Sequence, residues 1–294
     1  FFHADDGIRD PLWSRGLGDV YKRQIKVHTQ AGDEVICDYT SHVYQYEGGG
    51  IAFNSSASVK LLHGDRGKLS VNLIEAALRE ENVHYPRTSL VSVENTTNKG
   101  GGACYDIKTL EELSVFCKSK KLNFHMDGAR LFHAMVYTNT KPIDYGPLFD
   151  SISVCMSKGL GAPIGSLLLG TKAFIHKAKR VRKVLGGGMR QVGYLAAACD
   201  YAIDNHVSLL KDDHRRAKEI ESVLSSLDYV SEVIPVETNI LIFVLDDPTR
   251  LVDYLETKNI YCSAVSQNQI RFVIHFQFDD EMLEKLKEAL IAYS

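Results

Sequence analysis

Asp150-Ser151-Ile152-Ser153-Val154-Cys155-Met156-Ser157-Lys158-Gly159-Leu160-Gly161-Ala162-Pro163-Ile164-Gly165-Ser166 is the stretch around which the rest of the chain is organised. Ile152, Val154 and Met156 alternate with smaller residues as in a strand, and the alternation runs into one lysine followed by Gly-Leu-Gly-Ala-Pro. That order places an amine where a strand ends and the backbone turns sharply, facing a cleft. A lysine in isolation is ordinarily a solvated surface residue, so the reading of Lys158 depends on what else reaches the same place.

A second stretch supplies it. Leu122-Asn123-Phe124-His125-Met126-Asp127-Gly128-Ala129-Arg130 is a short apolar run that delivers an aspartate at its end, and Lys158 follows Asp127 by 31 positions. That is about one strand-connection-strand unit, so two neighbouring strand ends are expected to present both side chains to one crevice. An amine and a carboxylate facing one crevice suggest pyridoxal 5'-phosphate: the lysine forms the Schiff base, and the aspartate keeps the pyridine nitrogen protonated. His-Met-Asp-Gly-Ala-Arg (125–130), Ser-Lys-Gly-Leu-Gly-Ala-Pro-Ile-Gly-Ser (157–166) and Leu-Gly-Gly-Gly-Met-Arg-Gln (185–191), in this order, resemble the low-specificity L-threonine aldolases. These belong to the β-eliminating-lyase group of fold-type-I pyridoxal-phosphate enzymes. The resemblance runs from about Ile25 to the C-terminus.

The resemblance implies an α/β chain with the fold-type-I transferase fold: a mixed, mostly parallel sheet with helices on both faces, plus a small C-terminal α/β domain. It implies cleavage of L-threonine and L-allo-threonine to glycine and acetaldehyde. The alternatives are a β-eliminating lyase or aldolase acting on another β-hydroxy amino acid, or a catalytically incompetent fragment of such an enzyme. By the same resemblance Lys158, Asp127 and His42 are catalytic, His42 stacking on the pyridine ring, and Arg130 and Ser157 join them in binding the cofactor. Arg271 lies inside an apolar strand, where a guanidinium needs an anionic partner. The resemblance makes that partner the substrate α-carboxylate, shared with Arg130, in a geometry that suits a planar guanidinium. Thr97 stands on the substrate side where the family usually has histidine. The base for the β-hydroxyl proton is His42 or an ordered water. A homodimer or homotetramer in the cytoplasm is expected.

Composition agrees with a small-molecule enzyme. The 294 residues are 45% hydrophobic with a net charge of −3, enough for a substantial core and no electrostatic footprint for nucleic acid or an anionic membrane. No apolar run approaches the roughly 18 residues of a membrane span. The six cysteines are widely spaced, without a Cys-x-x-Cys or zinc pattern, and read as reduced core thiols.

Taken in order, residues 1–24 show neither helical nor strand periodicity and carry no secretory signal. Their end, Leu17-Gly18-Asp19-Val20-Tyr21-Lys22-Arg23-Gln24, looks like translated sequencing-adapter read-through fused to a truncated gene. They hold neither the Ser-Asp-Thr segment nor the phosphate-binding Ser-Gly-Thr loop of the family, so weak cofactor binding and low activity are expected of the chain as given. Residues 25–205 read as the cofactor-binding domain and 206–294 as the small domain. Within them the pattern predicts a turn followed by a short buried strand over 30–38, a helix over 70–81 with Leu73, Ala76, Ala77 and Leu78 inward, and a strand over 88–93. A helix over 109–120 follows, with Leu110, Leu113, Val115, Phe116 and Cys117 inward. Lys99-Gly100-Gly101-Gly102 lacks the residue order of a nucleotide phosphate loop. The basic helix expected over 173–185 reads as a solvated face, with the turn 186–191 behind it resembling a family loop near the active site of the dimer. The small domain is expected to run helix 206–227, strand 239–245, helix 248–258, strand 269–275 and helix 280–293.

Overall fold

A computed structural model describes residues 20–293, with side chains from residue 24 onward. The first sheet comprises β1 (Asp33–Asp38), β2 (Ser58–Leu62), β3 (Arg87–Glu94), β4 (Asn123–Gly128), β5 (Ser151–Cys155) and β6 (Ser166–Gly170). Its order is β2-β1-β3-β4-β5-β6, parallel throughout except that β6 runs antiparallel to β5. The chain leaves β1 to one side to form β2 and returns to its other side to form β3. Such a reversal opens a crevice at the carboxyl ends of the strands.

Helices α1 (Val20–His28), α2 (His42–Gln45), α3 (Val71–Ala77), α4 (Ile107–Ser119), α5 (Leu131–Thr138), α6 (Pro142–Tyr145), α7 (Lys172–Val184) and α8 (Gly193–His206) accompany this sheet. Residues of β1 and β5 are buried without alternation, because both faces are covered. Ile36, Val91, Phe124, Met126 and Ile152 pack with Leu110 and Leu113 of α4 and Leu131 of α5. Their strand neighbours Val35 and Leu90 pack on the other face with Ile25 of α1. Parallel sheets covered on both sides give near-continuous apolar strands. Asp106 caps α4 by accepting the backbone N–H of Thr109 at 2.8 Å, which is worth about 1 kcal/mol.

The second sheet is antiparallel, in the order β7-β8-β10-β9, from β7 (Glu232–Val233), β8 (Ile240–Val244), β9 (Ser263–Ser266) and β10 (Gln269–Val273). It packs with α9 (Leu210–Leu224), α10 (Pro248–Thr257) and α11 (Asp280–Ala292) around Leu241, Phe243, Ile270, Leu251 and Leu283. Asp247 caps α10 with Pro248 at its first position, and Asp279 caps α11, both favourable starts.

Several expectations are corrected. Of residues 1–24, read as having no helical periodicity, 1–19 lie outside the described residues, and 20–24 are helical in α1, which lies against β3–β6 and α7. Lys158 stands three residues beyond the end of β5, in a turn. In α3 Leu73 and Ala76 are exposed and Ile74 is buried, because the face toward the core runs through Val71, Ile74 and Leu78. Val115 is exposed, since it lies about 200° around α4 from Leu113 at the helical repeat. The helix expected over 206–227 is broken by a 3-10 turn at Val207–Leu209 and begins at Leu210, while α8 precedes it unforeseen.

Candidate active site

The carboxyl ends of adjacent strands set out the site in order. His42 opens α2 just after β1, Glu94 ends β3, Asp127 lies in β4 in register with Glu94, and Lys158 follows β5. Asp127 is fully buried. Its Oδ1 accepts from the backbone N–H of Ala129 at 3.2 Å and the hydroxyl of Ser153 at 3.4 Å, while Oδ2 is buried with no hydrogen-bond partner. Burial first, and then the Glu94 carboxylate, push the Asp127 carboxyl up to about 7, with Lys158 and His42 pulling the other way. A buried carboxylate oxygen without a donor is costly unless a ligand supplies one.

Glu94 connects two loops. Its Oε2 accepts the backbone N–H of His42 at 2.7 Å and its Oε1 that of Asn98 at 2.5 Å. The His42 ring has Nδ1 3.3 Å from Glu47 and tilts against Tyr46 at 5.4 Å between centroids. Burial opposes its protonation, but Glu47 and then Asp127 outweigh burial and Lys158, so its pKa is raised.

The lysine turn is held on three sides. A β-carbon on Gly159 would lie 2.2 Å from Nε2 of His133, so only glycine allows this approach. His206 donates through Nδ1 to the Leu160 carbonyl at 2.6 Å, and Phe276 presses its ring edge against Gly161. His133 Nδ1 lies 2.9 Å from Nε2 of His214; burial lowers both, His214 to about 4, so both rings are neutral and one donates to the other. Ser157 contacts the Cys155 thiol through its hydroxyl at 3.3 Å.

The remaining expected residues are placed as follows. Arg130 is half-buried at the start of α5. Thr97 is buried with its hydroxyl 3.5 Å from the Ala103 carbonyl and packed against Gly67 and Gly100, turned into its own loop. Arg271 comes from β10 of the second sheet and donates through Nη1 to Oδ1 of Asn98 at 3.1 Å. No carboxylate among the described residues lies within ion-pair distance of Arg271. Among the described residues no group of three or more His, Cys, Asp or Glu could hold a metal ion, and no helix is long and apolar enough to cross a membrane. Glu94 and Asn98 were not legible individually as site residues. The signal was the polar loop 94–98 at the end of an apolar strand, where functional loops are expected.

Residues 23–248 match the family model described as beta-eliminating lyase. The low-specificity L-threonine aldolase 1 of Arabidopsis thaliana is 36% identical over 263 residues, 86% of this chain and 74% of that protein. The low specificity L-threonine aldolase of Escherichia coli (strain K12) is 33% identical over 262 residues, 88% of this chain and 77% of that protein. Among solved structures, the threonine aldolase of Leishmania major superposes with a TM-score of 0.79 at 21% identity, covering 92% of this chain and 80% of that one, a likeness of fold. The fold is the mostly parallel α/β fold of the fold-type-I enzymes.

Proposed function

This chain belongs to the beta-eliminating lyase family, and from that premise and the site geometry we propose that it is a pyridoxal-phosphate-dependent aldehyde lyase cleaving L-threonine and L-allo-threonine to glycine and acetaldehyde. The observation that carries the reading is the Asp127 carboxyl, whose buried Oδ2 lacks a protein donor while the charges of Lys158 and His42 act on it. A pyridinium N–H is a donor of the kind that oxygen lacks, so the residues fit the cofactor.

Pyridoxal phosphate, when bound, supplies an aldehyde for the lysine and a ring that draws off the electron pair left at Cα. Lys158 would hold that aldehyde through its amine, and Asp127 would accept the ring N–H and keep it cationic. His42 would lie on the ring face, with Ser157 and Arg130 completing the cofactor's contacts. Arg130 and Arg271 would take the α-carboxylate as guanidinium forks do. His42, directly or through an ordered water, would accept the β-hydroxyl proton as the Cα–Cβ bond breaks, and a proton returned to Cα completes glycine. Thr97, turned into its loop, shapes the substrate side without offering an imidazole there.

We read residues 25–205 as the cofactor-binding domain and 206–294 as the small domain that brings Arg271. We read the protein as a cytoplasmic homodimer or homotetramer. The exposed apolar side chains Val184, Val192 and Tyr194 beside the turn 186–191 support the oligomer.

The test is direct. Purified protein with added cofactor should absorb at visible wavelengths and release acetaldehyde from threonine faster than it acts on phenylserine or serine. Lys158→Ala should lose both turnover and the borohydride-trapped adduct, because only an amine can form the imine. A trapped adduct on another lysine rejects the assignment. Preferential action on serine or phenylserine favours a β-eliminating lyase or a different aldolase.

A further inference from the structure

The glycine run after Lys99 is not a phosphate loop, yet it is fastened on two sides. Arg66, in the turn between β2 and α3, donates through Nε to the Gly100 carbonyl at 2.9 Å, through Nη1 to Glu237 at 2.5 Å and through Nη2 to the Pro235 carbonyl at 2.6 Å. The second oxygen of Glu237 accepts the backbone N–H of Cys104 at 2.8 Å. Thr238 donates its hydroxyl to the Gly102 carbonyl at 2.8 Å. Gly102 has φ +72°, and a β-carbon there would lie 2.4 Å from that hydroxyl oxygen, so glycine is what lets the loop close on Thr238. The loop is clasped between the first sheet and the segment leading into β8.

What the clasped loop carries is Asn98. Its backbone N–H is held by Glu94 and its side-chain carbonyl accepts from Arg271 across 173 residues of chain. Arg271 is half-buried, has no carboxylate partner among the described residues, and rises from a strand on a long rotamer-rich stem. One hydrogen bond to one nitrogen tethers that end of the guanidinium and leaves its other N–H groups for a second acceptor. We infer that Asn98 is a positioning residue, which, held by Glu94 and the Arg66–Glu237–Thr238 clasp, sets the Arg271 guanidinium to receive the α-carboxylate of the amino-acid substrate. This rests on the reading of Arg271 given above. The amide is the fitting group: it accepts a hydrogen bond without neutralising the arginine, whereas a carboxylate at that point would form the ion pair meant for the substrate.

The test uses the cofactor-loaded protein and two probes, glycine and ethanolamine, which differ by the carboxylate. Binding is read from the change in cofactor absorbance, alongside KM and kcat for threonine. Asn98→Ala should weaken glycine binding and raise KM roughly tenfold, the scale of one hydrogen bond to a charged group, with a smaller change in kcat and none in ethanolamine binding. Asn98→Asp, which keeps the shape and the Oδ1 acceptor should the alanine variant fold poorly, should weaken glycine binding further still. Arg66→Ala and Glu237→Gln should move glycine binding in the same direction by less. Asn98→Asp with wild-type glycine affinity, or ethanolamine weakened in proportion to glycine, overturns the inference. Arg271→Leu separates the two readings: if it weakens glycine binding and the Asn98 variants do not, only the role of Asn98 falls. If Arg271→Leu leaves glycine binding unchanged, the carboxylate assignment itself is wrong and the inference falls with it.

Discussion

Glu94 and Asp127 face each other in register at the ends of β3 and β4, two acidic residues side by side in a buried crevice. The second of them holds its proton up to about 7, by burial first and then by the charge of the first. The group favours the folded chain fully below the ordinary carboxylate pKa near 4, and that contribution is lost as pH rises through about 7. Asp127→Asn removes this titration. In the protein without cofactor its Tm should exceed that of the wild type at pH 8, and the excess should vanish toward pH 4. Threonine turnover with cofactor present should fall roughly a hundredfold or more, as when a preorganised charge is removed. Near-normal turnover would take the electron-sink role away from Asp127.

Glu47 offers a way to decide the identity of the base. It stands 3.3 Å from His42 Nδ1 and helps raise the imidazole pKa. His42 accepts a proton only when neutral, so Glu47→Gln should move the acid limb of the kcat/KM profile to lower pH. An unmoved limb assigns the proton to the water.

Gly159→Ala should separate amine placement from folding. The added carbon meets His133 Nε2 at 2.2 Å, so either that ring or the lysine turn must shift, at a cost of about 1–3 kcal/mol for overpacking. A modest fall in denaturant midpoint is expected, with a larger loss in the rate of borohydride trapping at Lys158. Equal trapping rates would show that the turn tolerates displacement.

Acid should act on the opposite end of the sheet. His28 and His125 both contact the Ser151 hydroxyl at 2.7 Å, and burial lowers both, His28 to about 4. As pH falls below 6.5 the unfolded chain takes up protons before the folded one, so stability should decline between about 6.5 and 4. The part due to His28 is about 3 kcal/mol, from the free energy per unit of pKa. Urea unfolding at stepped pH measures this, and His28→Gln should flatten part of the slope.

The relation between Asp127 and Lys158 was legible because both stand close to the ends of apolar strands one crossover apart, which chain connectivity alone makes neighbours. Helix extents were legible to within a few residues from the apolar period, as in α4 and α11. Which face turns inward was less so: in α3, Leu73 and Ile74 are both apolar, and only the surroundings choose between them. α8 escaped notice because Ala196, Ala197 and Ala198 carry no periodic contrast. Of Asn98 only its place in a polar loop after an apolar strand could be read, since its importance comes from a partner in the other sheet and from a clasp assembled from three segments far apart in the chain.

Phe276 and His206, tilted against each other with ring centroids 4.9 Å apart, bear on Gly161 and Leu160 from outside the strand that leads to Lys158. Chimeras that exchange the last third of this chain for that of a relative would therefore recombine the reactive amine with a foreign brace. Keeping Phe276 matched to a glycine at 161 is the condition under which such a swap leaves the lysine where it stands, and a bulkier residue at either position in a shuffled library should be selected against.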